Sequence, residues 1–340
     1  MATDHDPGSL RERLPALVAA WRPGTHVASL RPLVGGKSSL TYLVALEREA
    51  PIVVKMAPPG LPPTRNRDVL RQARVQVAIV GSGRAPVAPV CFTDAGDPPE
   101  IPPLYAMEFR AGESFEPLLD QCTELPAPAV IRGRQLAAAR VLAGLHSIAP
   151  DAVDLADEPE VTLVEEVERW VRMFETAPDD LRPGYRAAAD ALLVSLPEPV
   201  ASTIVHGEYR LGNLLARDDD VVAIIDWELW SREDPRVDLS WFLSYVDAAE
   251  QPSAIRATPD GMPSREELLA AYEEAAGVPV ADLAWFDAHA RFKMAAIAAL
   301  INKHNRRLEH PDREQEALVP VIGELVEQTV QILERSPNRR

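Results

Sequence analysis

Residues 203–230 read TIVHGEYRLGNLLARDDDVVAIIDWELW, and this stretch decides the fold. Two short apolar-rich segments, LLAR and VVAII, flank three aspartates, which is the pattern of a β-hairpin with a tight turn. Asn213 and Asp226 stand at similar distances from the centre of that turn, so an in-register hairpin would place them side by side at its open end. An amide oxygen and a carboxylate suit Mg²⁺, which takes few protein ligands and completes its octahedron with water and phosphate. We therefore expect Asn213 and Asp226 to be metal ligands.

The residues just before the hairpin add a second carboxylate. Residues 206–208 read His-Gly-Glu, and Asn213 follows Glu208 by five positions. This order resembles the catalytic segment of protein kinases, in which an acidic residue is followed five positions later by an asparagine, then by a hairpin and then by an aspartate. The segment also resembles that of the aminoglycoside phosphotransferase and choline kinase family, which has His-Gly-Asp, four residues, Asn and then Ile-Asp-Trp. Residues 225–227 are Ile-Asp-Trp, whereas Glu208 stands where the family has its catalytic aspartate.

This resemblance extends over nearly the whole chain. The pairs Leu145-His146, Asp234-Pro235 and Asp238-Leu239 also match the family pattern. The resemblance implies an α+β fold, bilobal and protein-kinase-like. A nucleotide-binding lobe with a small antiparallel β-sheet would span residues 1–110, and a mainly helical catalytic and substrate lobe would span residues 111–340.

The function that the resemblance implies is small-molecule phosphorylation. The γ-phosphate of ATP or GTP would pass, with Mg²⁺, to a hydroxyl of a small molecule, and Glu208, Asn213 and Asp226 would be the catalytic residues. His206 would support the catalytic loop. Asp238 would hydrogen-bond the backbone of that loop, or would alternatively be an exposed residue that caps a helix. Residues 225–230, with the downstream Asp-Pro and Asp-Leu pairs, resemble the subgroup of phosphotransferase domains attached to acyl-CoA dehydrogenases. That subgroup implies a hydroxyacyl or other metabolic acceptor, and the family name implies an antibiotic-like one.

The N-terminal lobe is expected to bind the nucleotide. Lys55 stands in a strand, like the ATP-phosphate lysine of kinases, although a strand-edge lysine is more often only solvated. The GKS within residues 35–39 is not a P-loop, because Arg31 occupies the place of the first glycine and a strand pattern follows where a helix is required. We interpret that segment as a phosphate-covering loop and residues 107–109 as the hinge between the lobes. The expected nucleotide-binding residues are Lys55, Gly35, Gly36, Ser38, Ser39, Met107, Glu108 and Phe109.

Two residues depart from the pattern. Gln72 stands where active kinases have the glutamate that pairs with the strand lysine, and Asp68, one turn earlier, could substitute. Glu208 keeps the intrinsic basicity of aspartate, but its extra methylene moves the carboxylate by more than about 1 Å, which can cost on the order of 100-fold in rate. Because phosphoryl transfer relies mostly on metal and positioning, we favour a working kinase that is slow or substrate-shifted. The alternative is a pseudokinase that binds nucleotide or senses a ligand without transfer.

The remaining patterns predict the other elements. A leading helix covers residues 9–21, and strands fall within 29–54, 85–92 and 103–109. A helix over residues 64–80 would lie beside the sheet, with its arginines and glutamines on one side and a face formed by Val69, Ala73, Val77 and Val80 on the other. Further helical patterns cover residues 131–148, 163–195, 265–276, 283–308 and 314–335.

Composition excludes several other classes. The chain has 340 residues and is 46% hydrophobic, enough for a sizeable core. Its net charge of −17 argues against nucleic-acid binding, which needs clustered Lys and Arg. No apolar run approaches the roughly 18 residues that span a bilayer, and the first residues do not resemble a secretory leader, so we expect a cytoplasmic protein without a membrane partner. Cys91 and Cys122 form neither a disulfide framework nor a zinc site.

Overall fold

The first part of the fold is a five-stranded antiparallel sheet. The computed structural model describes residues 8–33, 39–122 and 124–335. The strand order is β1-β2-β3-β5-β4, with every neighbouring pair antiparallel. The strands are β1 (Val27–Pro32), β2 (Leu40–Leu46), β3 (Glu49–Met56), β4 (Val90–Asp94) and β5 (Leu104–Glu108). These bounds confirm the strands predicted within residues 29–54 and 103–109, whereas the strand predicted over residues 85–92 begins only at Val90 and continues to Asp94.

A leading helix packs on this sheet. The helix α1 (Gly8–Trp21) has Leu10, Leu14 and Val18 on one face, at the four-residue spacing that aligns side chains along a helix. All three are at most 1% exposed and belong to one core cluster with residues of β2, β3 and β5. Pro15 lies inside the helix and removes one internal hydrogen bond, but this buried stripe holds the helix in place.

The second helix shows that the predicted buried face was partly wrong. In α2 (Val69–Ser82), the side chains of Val77 and Val80 are 56% and 41% exposed. Gln76 is 1% exposed instead, and its amide nitrogen donates a hydrogen bond to the hydroxyl of Tyr105 at 2.8 Å. A buried amide is tolerated when it has such a partner, so the pattern of apolar residues alone did not identify the packed face.

The rest of the chain is mainly helical. The predicted segment 163–195 is two helices, because the chain turns through Pro183 and Gly184, the latter with φ of +65°. The predicted helix 314–335 is likewise divided, at Leu318. Among the described residues, no helix combines the length and apolarity needed to cross a membrane. The helices are α3 (Pro128–His146), α4 (Leu163–Glu175), α5 (Tyr185–Val194), α6 (Arg236–Leu243), α7 (Arg265–Ala276), α8 (Leu283–Asn305), α9 (Arg313–Ala317) and α10 (Val319–Arg335).

Two small antiparallel pairs lie between the early and late helices. The strand β6 (Thr203–Val205) pairs with β9 (Ser231–Glu233), and β7 (Leu214–Arg217) pairs with β8 (Asp220–Ile224). The hairpin and its neighbouring loop bury their apolar side chains against α3, α6 and α7 in the same core cluster. This arrangement confirms the predicted hairpin and the α+β class, whereas the lobe boundary near residues 110–113 stays a prediction.

Candidate functional site

The loop of residues 206–213 is fixed from two sides. Asp238, at the start of α6, accepts hydrogen bonds from the backbone N–H groups of His206 and Gly207 at 2.5 and 2.9 Å. His206 Nδ1 accepts from the backbone N–H of Glu208 at 3.2 Å, so its Nε2 carries the proton that it donates to the Ile225 carbonyl at 2.8 Å. Both residues therefore hold the loop in place, as predicted, and His206 also ties it to the end of β8.

Gly207 and Lys293 form a further support that the sequence did not reveal. Gly207 has φ of +86°, and a Cβ there would lie 2.5 Å from the Leu229 carbonyl oxygen. Its own carbonyl accepts a 2.5 Å hydrogen bond from the Lys293 ammonium, which lies 4.2 Å from the Trp241 ring centroid. Lys293 is 2% exposed, and burial lowers its pKa. The pattern of α8 gave no signal for it, because a lysine within a helix is usually solvated.

The hairpin brings Asn213 and Asp226 near each other, but the predicted register was wrong by one residue. Leu214 pairs with Ile224, and the Ile225 N–H donates to the Asn213 carbonyl at 2.9 Å. The pairs next to the turn, Arg217 with Asp220 and Ala216 with Val221, would by themselves place Asn213 opposite Ile224. A register irregularity between Leu215 and Ala216 moves its partner to Ile225, one residue before Asp226. Asp226 follows in a left-handed conformation, φ 66° and ψ 59°, which aspartate tolerates better than most residues. The side chains of Asn213 and Asp226 still line one cleft.

The donor atoms of Asn213 and Asp226 fit Mg²⁺. Asn213 donates its Nδ2 to the Glu208 carbonyl at 2.9 Å, which leaves its amide oxygen for another partner. The Asp226 carboxylate is 33% exposed. The described residues hold no cluster of three or more His, Cys, Asp or Glu arranged for a metal, as a zinc site would require. Two hard oxygens open to a cleft match the preference of Mg²⁺ for few protein ligands plus water and phosphate.

Lys55 pairs with Asp226 and not with the partners that the sequence suggested. Its ammonium lies 3.3 Å from Asp226 Oδ1. Burial would lower the pKa of Lys55, but the Tyr105 phenol and the Asp226 carboxylate outweigh it and raise the pKa. Gln72 instead donates to the Asn66 carbonyl at 2.9 Å. The alternative partner, Asp68, is the N-cap of α2, where its carboxylate accepts from a backbone N–H at 3.0 Å, and this cap also explains why the helix begins at Val69.

Most of the expected nucleotide-binding residues surround one cleft. Its volume is about 530 Å³, and it lies between the sheet and the hairpin. Gly35, Gly36 and Ser38 lie outside the described residues. The expected residues that do line it are Ser39, Lys55, Met107, Glu108, Phe109, Asn213 and Asp226.

Glu208 faces a second, smaller cavity of about 220 Å³. Arg210 lines both this cavity and the larger cleft, and its guanidinium lies 3.5 Å from Glu208 and 3.6 Å from Glu116. It also packs so closely over Gly212 that a Cβ at that position would collide with it. The sequence analysis missed Arg210 and Glu116; the only available signal for Arg210 was its place two residues after Glu208.

Glu116 supports the loop from inside the protein. Its side chain is 1% exposed, and its carboxylate accepts from the Gly212 N–H at 3.0 Å. Burial raises the pKa of Glu116 to about 7, despite the opposing effects of this hydrogen bond and of Arg210, and the nearby Asp120 raises it further. Because the folded-state pKa lies above the ordinary value of 4.5, the stabilisation from this group is complete below pH 4.5 and is lost as the pH rises through 7.

Glu116→Gln should therefore change how stability depends on pH. The variant keeps an oxygen for the Gly212 N–H but cannot ionise. Relative to wild type, its free energy of unfolding should rise by about 2.5 kcal/mol between pH 5 and pH 8. Urea denaturation at both pH values measures this difference. Glu168→Gln, at an exposed position on α4, is the control and should give no such change; an equal offset at both pH values for Glu116→Gln would contradict the prediction.

Comparison with known sequences identifies relatives over most of the chain. A model described as the phosphotransferase enzyme family matches residues 29–289. Mouse acyl-CoA dehydrogenase family member 10 is 26% identical over 299 residues, which are 83% of this chain and 27% of that protein. Human acyl-CoA dehydrogenase family member 11 is 27% identical over 277 residues, 77% of this chain and 34% of that protein. The chain thus spans about a third or less of the length of these curated relatives.

Solved structures share the fold. A structure of a putative aminoglycoside phosphotransferase from Ralstonia eutropha has a TM-score of 0.79 at 24% identity, over 96% of this chain and 98% of that one. An aminoglycoside phosphotransferase in complex with GDP and kanamycin has a TM-score of 0.61 at 14% identity, and the match covers 93% of this chain and 98% of that one. A thermostable mutant of another aminoglycoside phosphotransferase, in a ternary complex with AMP-PNP and hygromycin B, has a TM-score of 0.60 at 14% identity. That match covers 95% of this chain and 99% of the other. These matches confirm the bilobal, kinase-like fold.

Proposed function

The chain belongs to the phosphotransferase enzyme family, and from that premise we propose that it transfers the γ-phosphate of ATP or GTP to a hydroxyl of a small molecule. The observation that carries the proposal is that the charged groups expected to bind phosphate and the expected base line two adjoining cavities. The Lys55–Asp226 ion pair lies in a cleft together with Asn213, and Arg210 connects this cleft to the cavity that Glu208 lines. A nucleotide phosphate and an acceptor hydroxyl could therefore meet at Arg210.

The larger cleft is the proposed nucleotide site. Residues 107–109 would contact the base at the end of β5, and Lys55 would hold the α- and β-phosphates. Ser39 lines the same cleft, and Gly35, Gly36 and Ser38 precede it in the chain as the proposed phosphate-covering loop. Asn213 and Asp226 would hold Mg²⁺, which when bound neutralises charge on the phosphates. The nucleotide complexes of two structural neighbours support this assignment.

Glu208 is the proposed base. The acceptor oxygen would form a bond to the γ-phosphorus as the bond to the β,γ-bridging oxygen breaks, and the hydroxyl proton would pass to the Glu208 carboxylate. The Arg210 guanidinium, beside Glu208 and at the junction of both cavities, would face the transferred phosphoryl group. Its positive charge there favours the charge that spreads over the phosphoryl oxygens during transfer.

The acceptor is first sought among hydroxyacyl compounds. The curated relatives named above are acyl-CoA dehydrogenase family members, and this chain covers only part of their length. Antibiotic-like compounds are the second set, because two structural neighbours were solved with kanamycin or hygromycin B.

Nucleotide binding without transfer is a second candidate function. It is favoured by Gln72, which leaves the lysine of β3 without the helix glutamate of active kinases. The second departure from the family pattern, Glu208 in place of aspartate, also favours nucleotide binding without transfer.

A two-step assay tests the proposal. Mg²⁺ with ATP or GTP should raise the melting temperature of the protein, because a ligand that binds only the folded state stabilises it. Hydroxyl acceptors from both sets are then incubated with γ-labelled nucleotide, and at least one should acquire label only when protein and Mg²⁺ are present. A melting shift with no labelled acceptor would favour the second candidate, and the absence of any nucleotide effect would exclude both.

A further inference from the structure

The helix α2 is tied to the turn that follows Asp226. Arg71, on α2, donates a hydrogen bond from Nη1 to the Trp230 carbonyl at 3.0 Å, and its guanidinium carbon lies 3.9 Å from the centroid of the Trp230 ring. Its Nε donates to the Glu158 carboxylate at 3.0 Å. The Glu158 side chain is 10% exposed and Trp230 is 2% exposed, so water competes little for these contacts. Arg71 therefore joins α2 to two later parts of the chain.

Trp230 lies directly after a short turn that begins at the proposed metal ligand. A single 3₁₀ turn, Trp227–Leu229, is the whole connection between Asp226 and Trp230. The chain before Asp226 is fixed, because both backbone polar groups of Ile225 are hydrogen-bonded. The bond from Arg71 to the Trp230 carbonyl fixes the chain after it. The left-handed backbone of Asp226 is thus held from both directions.

The same helix is attached to the sheet that carries Lys55. Tyr105, on β5, is the direct cross-strand partner of Lys55 on β3. Val69 and Ala73, on α2, are buried in one cluster with Tyr105. Gln76, also on α2, donates to the Tyr105 hydroxyl at 2.8 Å. A link from α2 to the turn is therefore also a link between this lysine and the proposed metal site.

We propose that Arg71 is a positioning residue, which holds the Asp226 carboxylate beside Lys55 by fixing α2 to the turn after Asp226. In active kinases a glutamate of the corresponding helix pairs with the strand lysine. Here Gln72 stands at that position and bonds to the Asn66 carbonyl, and the neighbouring Arg71 attaches the helix to the metal-binding turn instead. The inference rests on the nucleotide site proposed above. Arg71 lies outside the described lining of the larger cleft, so it would act only through Asp226.

Arg71→Met tests the proposal, with Arg74→Met as the matched control. Each variant keeps an apolar side chain of similar reach and removes one guanidinium from α2. Arg74 forms ion pairs with Asp157 and Glu158. The control therefore also loses an ion pair with Glu158, but it keeps the bond from Arg71 to Trp230.

Calorimetry on the full chain measures the affinity for AMP-PNP with and without Mg²⁺. With Mg²⁺, Arg71→Met should bind AMP-PNP about tenfold more weakly than wild type, as expected when one hydrogen bond from a charged group is lost. Without Mg²⁺ its affinity should stay within about twofold of wild type, because the strand lysine and residues 107–109 are unchanged. Arg74→Met should match wild type in both conditions. A general loss of stability would not produce an effect that depends on Mg²⁺.

Arg71→Lys separates the geometry of the contact from its charge. Lysine keeps a positive charge for Glu158, but a single ammonium cannot reproduce the planar guanidinium that stacks on the Trp230 ring while donating in two directions. With Mg²⁺, the affinity of this variant should therefore remain at least about fivefold below wild type.

Hydrogen–deuterium exchange measures the same effect in the absence of nucleotide. The backbone amides of residues 225–230 should exchange faster in Arg71→Met than in wild type, because the turn opens locally more often without its bond to α2. Exchange of the same amides in Arg74→Met should match wild type. This measurement does not depend on phosphotransfer.

The outcomes separate this inference from the proposed function. Equal affinities of Arg71→Met and Arg74→Met with Mg²⁺, an equal loss with and without Mg²⁺, wild-type affinity in Arg71→Lys, or unchanged exchange of residues 225–230 in Arg71→Met would each overturn the inference. If the wild-type protein binds no nucleotide, the phosphotransfer proposal fails. Faster exchange in Arg71→Met alone would then support the positioning of Asp226 and count against phosphotransfer.

Discussion

Asp226→Asn should lower the turnover number on the order of 1000-fold with any acceptor that the wild-type protein phosphorylates. The substitution keeps the shape of the side chain but removes its negative charge, on which two interactions of Asp226 depend. Asp226 is the proposed carboxylate ligand of Mg²⁺, and it is also the ion-pair partner of Lys55, which is 7% exposed. A buried ammonium that loses its partner is costly, so the lysine would also be positioned less firmly.

Single-turnover rates with labelled nucleotide measure this effect, and calorimetry with and without Mg²⁺ shows how nucleotide affinity changes. The Mg²⁺ concentration required for half-maximal binding should increase, because one of two protein ligands becomes neutral. Asp220→Asn is a matched control, since this exposed aspartate belongs to the same hairpin but lies at its turn. A normal rate for Asp226→Asn would remove the metal assignment and the phosphotransfer proposal that depends on it.

The sequence predicted the framework of the site because that framework is local. The spacing between Glu208 and Asn213 and the hairpin pattern lie within one continuous stretch, so residues close in the chain are close in space. The support from His206 was also predicted, because His206 lies within that stretch. Asp238 lies outside it, and its bond to the loop was one of two alternatives, the other being an exposed helix cap. Their hydrogen bonds to the loop follow in the structure.

The parts that sequence did not predict come from distant elements or from packing. Lys293, on α8, donates a hydrogen bond to the Gly207 carbonyl. Glu116, which precedes α3 and α4 in the sequence, accepts one from the Gly212 N–H. Neither position carries a pattern that distinguishes it from an ordinary surface charge. The register of the hairpin depends on an irregularity within it that a count of residues cannot detect. In α2, the polar residue Gln76 is buried with a hydrogen-bond partner, so the apolar pattern did not identify the packed face.

Glu208→Asp should lower the turnover number about 100-fold and leave nucleotide affinity unchanged. The Glu208 carboxylate lines the acceptor cavity and lies 3.5 Å from Arg210, and its side chain is 32% exposed. Aspartate would withdraw the carboxylate by more than about 1 Å from both, in a loop whose backbone cannot follow because Asp238 and Lys293 hold it. The site is thus expected to be built around glutamate, although the family pattern that the sequence resembles has aspartate at this position.

Comparison of three variants decides what Glu208 contributes. Glu208→Gln keeps the length of the side chain but cannot accept the proton, so its turnover should fall by roughly 100- to 10,000-fold. Glu113→Asp, at an exposed position that pairs with Arg134, should behave like wild type. If Glu208→Asp instead raises turnover, the native glutamate acts as a brake, and nucleotide binding without transfer becomes the better account of the protein. If Glu208→Asp and Glu208→Gln both match wild type, Glu208 takes no part in proton transfer, and the rate must come from the metal and from Arg210 at the junction of the two cavities.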